Sequence, residues 1–292
     1  MSKILVLGKN GQVGWELQRS LGLTGDVVFL GRNDRGGDLL KIRDMTARIK
    51  EEHPKIIFNA AAYTAVDAAE TDIVTATKVN GDAVAALAEV SKEVDALLVH
   101  YSTDYVFNGS GDKPWKENDP TSPINAYGTT KAMGERAILE SGCKAYIFRT
   151  SWVYGVHGRN FMKTMLRLGR TRDSLGIVAD QVGAPTSAEF IADVSTWLAM
   201  HKPVQKPEIV HLVPNGTTSW HGFAKEIFNQ SQSENLMIKS LKELSTEEYP
   251  LPAKRPLNSR LDNSKLNSLL PAGAIKEWQC YALRVLQEIL SN

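Results

Sequence analysis

Short apolar runs separated by amphipathic stretches dominate the first half of the chain. The runs that predict buried strands lie at 4–7, 27–30, 56–58, 97–101 and 146–149. Helical spacing of apolar positions occurs between them, at 15–21, 43–52, 72–92 and around 127–131. This alternation predicts an α/β fold, a Rossmann-type doubly wound parallel sheet. Such sheets bind ligands beyond the carboxyl ends of their strands.

The rhythm loosens after Gly155 and predicts a smaller C-terminal α/β part. Helices are expected at 161–170, 187–201, 220–229, 262–269 and 275–290, with extended segments at 175–178 and 209–213. Ser219 is expected to cap the helix after it. We therefore expect an NAD(P)-binding domain over 1–150, rejoined by about 170–205, and a mainly substrate-binding domain over 151–292.

A glycine-rich turn follows the first predicted strand and opens the first helix. It reads Gly8-Lys9-Asn10-Gly11-Gln12-Val13-Gly14. A strand, a glycine turn and a helix aim backbone N–H groups and a helix N-terminus at a pyrophosphate. Because the spacing is G-x-x-G-x-x-G and not the usual G-x-G-x-x-G, a plain strand-to-helix turn stays open as an alternative.

The ends of the next two strands bear on the cofactor. Arg32 lies just after the second strand, and the nearest carboxylate, Asp34, follows two residues later. An acid at a strand tip suits a ribose 2′-hydroxyl, whereas an arginine suits a 2′-phosphate. The pattern thus favours NADPH over NADH, unless Arg32 is a solvated loop charge. Small residues at 60–62 let a cofactor approach the backbone after the third strand, and Thr64 is expected to cap the following helix.

A tyrosine and a lysine four positions apart suggest a reaction site. Tyr127 and Lys131 share one face of the predicted helix, where a nearby cation would lower the phenol pKa and make it a usable proton donor. Thr103, at the end of the fourth strand, could hydrogen-bond a carbonyl oxygen at the same site. Alone, this spacing is also typical of an ordinary amphipathic helix face.

Composition narrows the class of protein. The 292 residues are 42% hydrophobic and 23% charged, and the net charge of +1 gives no drive toward nucleic acid or anionic membrane. Cys143 and Cys280 lie far apart and without metal-type spacing, as in a reducing compartment. No run approaches the length of a membrane span, and a strand at the N-terminus leaves no room for a signal peptide. We expect a cytoplasmic protein.

Together these motifs resemble the extended short-chain dehydrogenase/reductase family, and within it a branch of nucleotide-sugar reductases. The resemblance runs along nearly the whole chain. It rests on the segments 8–17, 59–67, 100–107, 127–131, 149–154 and 255–261. The third, fifth and sixth of these are specific to the reductase branch.

The resemblance implies Thr103, Tyr127 and Lys131 as the catalytic set. Hydride would pass from the nicotinamide to the C4 carbonyl of a dTDP-4-keto-6-deoxy sugar, with Tyr127 as proton donor. Lys131 would hold the nicotinamide ribose, and Thr103 would bond the sugar oxygen. The implied cofactor contacts are Gly8, Asn10, Gly11, Gln12, Val13, Gly14, Arg32, Asp38, Leu39, Ala60, Ala61, Tyr63, Thr64, Asn80, Tyr101, Tyr127 and Lys131. The implied substrate contacts are Thr103, Asp104, Tyr127, Trp152 and Arg255.

Some members of this branch are homodimers bridged by a structural Mg²⁺. The matching acids are Glu16, Glu189 and Asp193, of which the last two share a helix face. Without the resemblance they are ordinary surface charges. The histidines at 100, 157, 211 and 221 lack metal-ligand spacing and are interpreted as structural or solvated.

Three alternatives stay open. A 4,6-dehydratase of this fold would carry Asp-Glu after its threonine, but Asp104-Tyr105 follows here. An epimerase would retain NAD and consume no added NADPH. A non-catalytic regulatory subunit would bind NADP without turnover and need not keep Thr103, Tyr127 and Lys131 together. Among reductases, the product could be the rhamnose or its 4-epimer, 6-deoxy-talose.

Overall fold

The computed structural model describes residues 3–231 and 236–291. In this part of the chain, six parallel strands form the main sheet: β1 (Ile4–Leu7), β2 (Val27–Leu30), β3 (Ile56–Asn59), β4 (Leu97–Thr103), β5 (Ala145–Thr150) and β10 (Glu208–His211). Their order is β2-β1-β3-β4-β5-β10. The predicted Rossmann-type fold is confirmed. The chain turns from one side of β1 to the other between β2 and β3, and such a switch point is where these sheets bind ligands.

Helices cover both faces of the sheet, and short strands build the second part. The helices are α1 (Gln12–Ser20), α2 (Ile42–Glu52), α3 (Val66–Ala69), α4 (Ile73–Thr77), α5 (Ala83–Glu93), α6 (Ala126–Ser141), α7 (Phe161–Gly169), α8 (Ala188–His201), α9 (Trp220–Gln230), α10 (Ser264–Leu269) and α11 (Trp278–Ser291). The remaining strands are β6 (Val153–Tyr154), β7 (Ser174–Val178), β8 (Val182–Gly183), β9 (Thr186–Ser187), β11 (Thr218–Ser219), β12 (Ser240–Leu244) and β13 (Asn258–Ser259).

The first strand, β1, is apolar at every position because both faces of the sheet are buried. In β1, Leu5 and Leu7 pack with α2 and α5, whereas Ile4 and Val6 pack with α1 and α8. A separate core around Phe223 joins α7, α9 and α11. The site therefore lies on a rigid sheet, with a second packed unit beside its carboxyl edge.

The predicted strands and helices lie within about three residues of the observed ones, but β12 was not predicted, and two further expectations differ from the structure. A π-helical turn, Lys78–Asp82, interrupts the helix predicted over 72–92. Thr64 does not cap α3, which starts after Ala65; the side chain of Asp72 caps α4 instead, by accepting from the Thr75 N–H. The Ser219 cap of α9 is confirmed.

Elements that lie beyond residue 150 in the sequence also belong to the main sheet or cover it. β10 pairs with β5, and α8 covers the same face of the sheet as α1. The domain division stays a prediction.

Candidate active site

The glycine turn brings backbone segments into direct contact at the carboxyl ends of β1 and β3. Gly8 has a φ of +88°, and a Cβ there would lie 2.6 Å from the Ala61 nitrogen. A Cβ at Gly14 would overlap the carbonyl oxygen of Gly8, so α1 packs directly on the turn. Gly11 stands at the N-cap of α1 and has no side chain to occupy the first-turn N–H groups. Such a turn can hold a phosphate group of a dinucleotide.

Polar side chains of the turn contact neighbouring segments. Gln12 donates to the Val153 carbonyl at 3.4 Å and accepts from Asn160 at 3.0 Å. The Asn10 amide lies against Gly31, where a Cβ would come within 2.7 Å of it. These contacts hold the turn between β2 and β6. The cofactor roles predicted for Asn10 and Gln12 stay predictions.

A carboxylate does stand at the tip of β2, contrary to the sequence-based expectation. Asp34 folds back because its N–H donates to the Gly31 carbonyl at 3.0 Å. Its carboxylate accepts from the Gly31 N–H at 2.7 Å and pairs with Lys9 at 2.6 Å. Arg32 is 74% exposed at its side chain and lies 3.8 Å from Asp38. This strand tip therefore carries charges of both signs.

Other predicted cofactor contacts border the same edge of the sheet. Leu39 is buried in the core beneath α2 and α5. Val13, Ala60 and Ala61 are partly buried, the two alanines at the end of β3 beside Gly8. Thr64 is exposed. These positions fit a site wall, and their contacts with a cofactor stay predictions.

Asn80 fastens the loop after β3 to α6. Its amide accepts from the Tyr63 N–H at 2.9 Å and donates to the Tyr63 carbonyl at 3.0 Å and the Thr130 hydroxyl at 3.1 Å. Because a Cβ at Gly134 would overlap the Asn80 carbonyl oxygen, α6 packs directly on the π-helical turn. With its amide engaged on both sides, Asn80 positions the site wall.

The start of α6 brings two predicted catalytic side chains together. Asn125 caps the helix by accepting from the Gly128 N–H at 2.8 Å. A Cβ at Gly128 would overlap the Tyr105 carbonyl oxygen, so the helix begins directly against the turn after β4. The phenol of Tyr127 consequently lies close to the Thr103 hydroxyl.

The environment of Tyr127 differs from the expectation of a lowered pKa. Burial raises the pKa of the phenol above its usual value, and the Asp104 carboxylate raises it further, while the Thr103 hydroxyl opposes both. The prediction that Lys131 lowers it is wrong for this structure, because burial and the Asp104 carboxylate both raise the pKa and Lys131 is not among the groups that shift it.

Lys131 is almost wholly buried, and its amine is directed at β4. Its Nζ lies 2.6 Å from the Tyr101 carbonyl oxygen and 3.3 Å from Nε2 of His100. Burial lowers the pKa of Lys131 to about 8, against the opposing charge of Glu135. The phenol of Tyr101, another predicted cofactor contact, is hydrogen-bonded to Ser195 of α8 at 2.7 Å.

A buried ion pair that the sequence analysis missed supports this helix. Arg149 of β5 makes two bonds to Glu135, at 2.9 and 2.7 Å, and Ser102 donates to the same carboxylate. The guanidinium also lies 4.9 Å from the centre of the Phe107 ring. A paired Glu and Arg on separate elements give no local sequence signal.

Of two predicted substrate contacts, Asp104 is a buried carboxylate and Trp152 is part of a stacked aromatic pair. Asp104 is buried, burial raises its pKa to about 6, and its Oδ2 has no hydrogen-bond partner within the described residues. Its Oδ1 accepts from Thr103 at 2.9 Å. Trp152, with φ +49°, stacks on Trp220 with ring centres 3.8 Å apart. The sequence analysis did not identify Trp220, because the pairing joins the residue before β6 to the first residue of α9.

Arg255 is engaged by a carboxylate. Its Nη2 lies 2.8 Å from Asp67, which also accepts from the Ala253 N–H at 3.1 Å. The side chain of Arg255 is only 13% exposed, so it is not a solvated loop charge. The predicted diphosphate contact stays a prediction.

The three acids assigned to Mg²⁺ lie on α1 and α8. Arg19 is 3.3 Å from Glu16, Arg284 is 2.7 Å from Glu189, and Ser20 donates to Asp193. Burial raises the pKa of Glu16 to about 7. No three His, Cys, Asp or Glu side chains in the described ranges are grouped to hold a metal ion. The magnesium prediction finds no support in this structure.

Comparison with known proteins identifies the family. The sequence matches the family described as RmlD substrate binding domain across residues 2–291. The chain belongs to the RmlD family. It is 46% identical to a dTDP-4-dehydrorhamnose reductase of Burkholderia thailandensis (99% of this chain, 100% of that protein) and 44% identical to one of Shigella flexneri (99% and 98%).

Solved structures agree with this membership. A dTDP-4-dehydrorhamnose reductase of Bacillus anthracis, in complex with NADP, has a TM-score of 0.90 and 33% identity, covering 98% of this chain and 99% of that one. As a member of the RmlD family with such relatives over its whole length, the chain is an oxidoreductase and not a non-catalytic subunit. None of the helices in the described ranges is long and apolar enough to cross a membrane.

Proposed function

We propose that this chain reduces the C4 keto group of dTDP-4-dehydro-L-rhamnose to dTDP-L-rhamnose with NADPH. The observation that carries the proposal is the Thr103–Tyr127 hydroxyl pair at the carboxyl end of β4. It lies on the dinucleotide-binding edge of a chain that is 44% and 46% identical, over its length, to enzymes named for this reaction.

The residues at the switch point fit a dinucleotide. Because Gly8 and Gly14 carry no side chain, the turn packs closely against Ala60, Ala61 and the start of α1. This close packing fixes the turn so that backbone N–H groups at the start of α1 can bind a pyrophosphate. Lys131 of α6, whose amine lies against β4, would hold the nicotinamide ribose. The bound cofactor supplies the hydride for C4 of the sugar. The relative solved with NADP supports NADPH as that cofactor, with NADH as the second candidate.

Tyr127 is the proposed proton donor to the forming alkoxide. Its raised pKa keeps the phenol protonated near neutral pH, which is the form a donor requires. The Thr103 hydroxyl lies near the phenol and donates to Asp104 in this structure. Once turned toward the sugar oxygen, it can donate to that oxygen and lower the energy of the developing negative charge.

The remaining substrate contacts follow the chemistry of a nucleotide sugar. The stacked rings of Trp152 and Trp220 offer an apolar surface for a sugar face. The unpartnered Oδ2 of Asp104 can accept a bond from a sugar hydroxyl. Arg255 can bind the diphosphate in bidentate fashion once it leaves Asp67.

Loss of absorbance at 340 nm with dTDP-4-dehydro-L-rhamnose tests the proposal. Tyr127→Phe is expected to lower kcat by about 10²- to 10⁴-fold, because the proton donor is lost. Tyr249→Phe, at an exposed tyrosine, serves as the control and should match the wild type. A Tyr127→Phe variant as fast as the wild type would remove Tyr127 from the mechanism.

The product distinguishes the two reductase outcomes. The C4 configuration of the sugar, read from proton coupling constants by NMR, separates rhamnose from 6-deoxy-talose. Turnover with NADPH and NADH, measured side by side, establishes the preferred cofactor.

A homodimer stays a prediction of the resemblance. Gel filtration with and without a chelator tests both the assembly and any dependence on a divalent cation. A monomeric elution volume in both buffers would contradict the dimer.

A further inference from the structure

A fully buried histidine stands behind Lys131, with an asparagine on its other side. His100 of β4 has no exposed surface, and its ring lies between Asn59 of β3 and Lys131 of α6. The distances are 3.1 Å from Asn59 Nδ2 to Nδ1 and 3.3 Å from Nε2 to the lysine Nζ. None of the catalytic or binding roles predicted above uses either His100 or Asn59.

The orientation of Asn59 decides where the imidazole proton sits. The Ala61 N–H donates to Asn59 Oδ1 at 3.3 Å, which leaves the amide NH₂ facing Nδ1 of His100. Nδ1 is then an acceptor, and the proton of a neutral imidazole is on Nε2. The desolvated ring is neutral, since burial and the nearby Lys131 charge hold the pKa of His100 well below its usual range.

This arrangement discriminates between the two forms of the lysine. An ammonium group has three N–H donors and no acceptor, so it makes no hydrogen bond with an Nε2–H that points at it. A neutral amine accepts that proton through its lone pair and still donates to the Tyr101 carbonyl oxygen at 2.6 Å.

The charged groups around Lys131 do not reverse this preference. Glu135, one turn along α6, favours the ammonium form. Its carboxylate is, however, bound by Arg149 of β5 and by the Ser102 hydroxyl of β4. The Tyr101 phenol faces away and bonds Ser195 of α8.

We propose that His100, oriented by Asn59, is a positioning residue that holds the Lys131 amine against β4 and favours its neutral form. The catalytic consequence rests on the proposed function. The pH sets the fraction of Lys131 in the ammonium form, which would bind the ribose hydroxyls of the cofactor and attract the Tyr127 phenolate left after proton donation. The pairing itself is a property of the cofactor-free protein.

Titration of Lys131 by NMR tests the pairing without turnover. Protein labelled with ¹³C at the lysine Cε is titrated without cofactor, and the Lys131 resonance is assigned by its loss in Lys131→Met. In His100→Leu the midpoint is expected to rise by about one pH unit, because a net hydrogen bond is worth roughly a tenfold change in equilibrium. His100→Gln keeps an N–H donor toward Lys131 and should stay near the wild-type midpoint.

A second variant keeps the test independent of whether His100→Leu folds, as checked by circular dichroism. Asn59→Leu frees the ring to place its proton on Nδ1, so Nε2 can accept from the ammonium and the Lys131 midpoint should again rise. Unchanged midpoints in the folded His100→Leu and Asn59→Leu variants, or an equal rise in His100→Gln, would overturn the proposal.

The catalytic consequence is tested in a separate experiment, the pH dependence of kcat/KM. If the reductase proposal holds, the pH at which kcat/KM changes moves with the Lys131 midpoint in each variant. If wild-type protein reduces no keto sugar while the NMR midpoints shift as expected, the proposed reductase function is refuted and the His100–Lys131 pairing is supported.

Discussion

The carboxyl ends of β2 and β4 use charge in opposite ways. At β2, Arg32 is exposed and the Lys9–Asp34 pair is only partly covered, so water screens these charges. At the carboxyl end of β4, the side chains of Thr103, Asp104 and Lys131 are all buried. Desolvation there lowers the pKa of Lys131 to about 8 and raises that of Asp104 to about 6. Charge at the first end can adjust which ligand binds, whereas burial at the second sets the protonation states on which chemistry depends.

The largest effect is expected from the hydroxyl at the end of β4. Thr103→Val keeps the shape of the side chain but removes the hydroxyl that bonds Asp104 and lies near Tyr127, and kcat should fall by about 10²- to 10³-fold. Thr103→Ser, which retains the hydroxyl, should recover most of the rate. NADPH affinity, measured by nucleotide fluorescence, should not change. A valine variant within twofold of the wild type would place Thr103 outside the reaction.

The buried ion pair below the same strand end should dominate stability. Arg149→Met leaves Glu135 buried without its bidentate partner and is expected to cost about 3–5 kcal/mol in urea unfolding. Lys144→Met removes the exposed Lys144–Asp95 pair and should cost at most about 1 kcal/mol. Equal losses in the two variants would contradict the contrast between buried and exposed charge.

Lys131 should make stability rise with pH. Its folded pKa of about 8 lies below the unfolded value, so the buried ammonium opposes folding below pH 8 and this penalty vanishes as pH rises through the unfolded pKa. Lys131→Met should be more stable than the wild type at pH 7 by about 1–3 kcal/mol. The advantage should shrink by pH 10 in parallel urea titrations. A constant difference between the two pH values would show that burial does not depress this pKa.

The smallest effect is expected at the end of β2. Asp34→Asn removes the negative charge near the proposed adenosine ribose, and the ratio of NADPH to NADH affinity should rise by about three- to fivefold. Asp26→Asn, an exposed acid before β2, is the control and should leave the ratio unchanged. Fluorescence titration with each nucleotide measures it, and a ratio unaffected in Asp34→Asn would exclude this carboxylate from cofactor selection.

Local pattern was enough for the fold. The apolar runs at 4–7 and 27–30 are the strands β1 and β2 to the residue, and the Ser219 cap precedes α9 as expected. These features depend on neighbours within a few positions, which is the range over which sequence patterns act. The π-helical turn at Lys78–Asp82 escaped because it depends on Gly134, from another helix, lying against Asn80.

In the candidate site, too, some features depend on local sequence and others on contacts between distant segments. The sequence alone determined the glycine turn, the alternation of strands and helices along the first half of the chain, and the residue types at Thr103, Tyr127 and Lys131. These features depend on spacing and on backbone freedom. Only the tertiary structure decided that Asp34 returns to the tip of β2, that Arg255 pairs with Asp67, and that Lys131 lies against His100. Contact and desolvation between distant segments set these arrangements, and they appear only once the chain has folded.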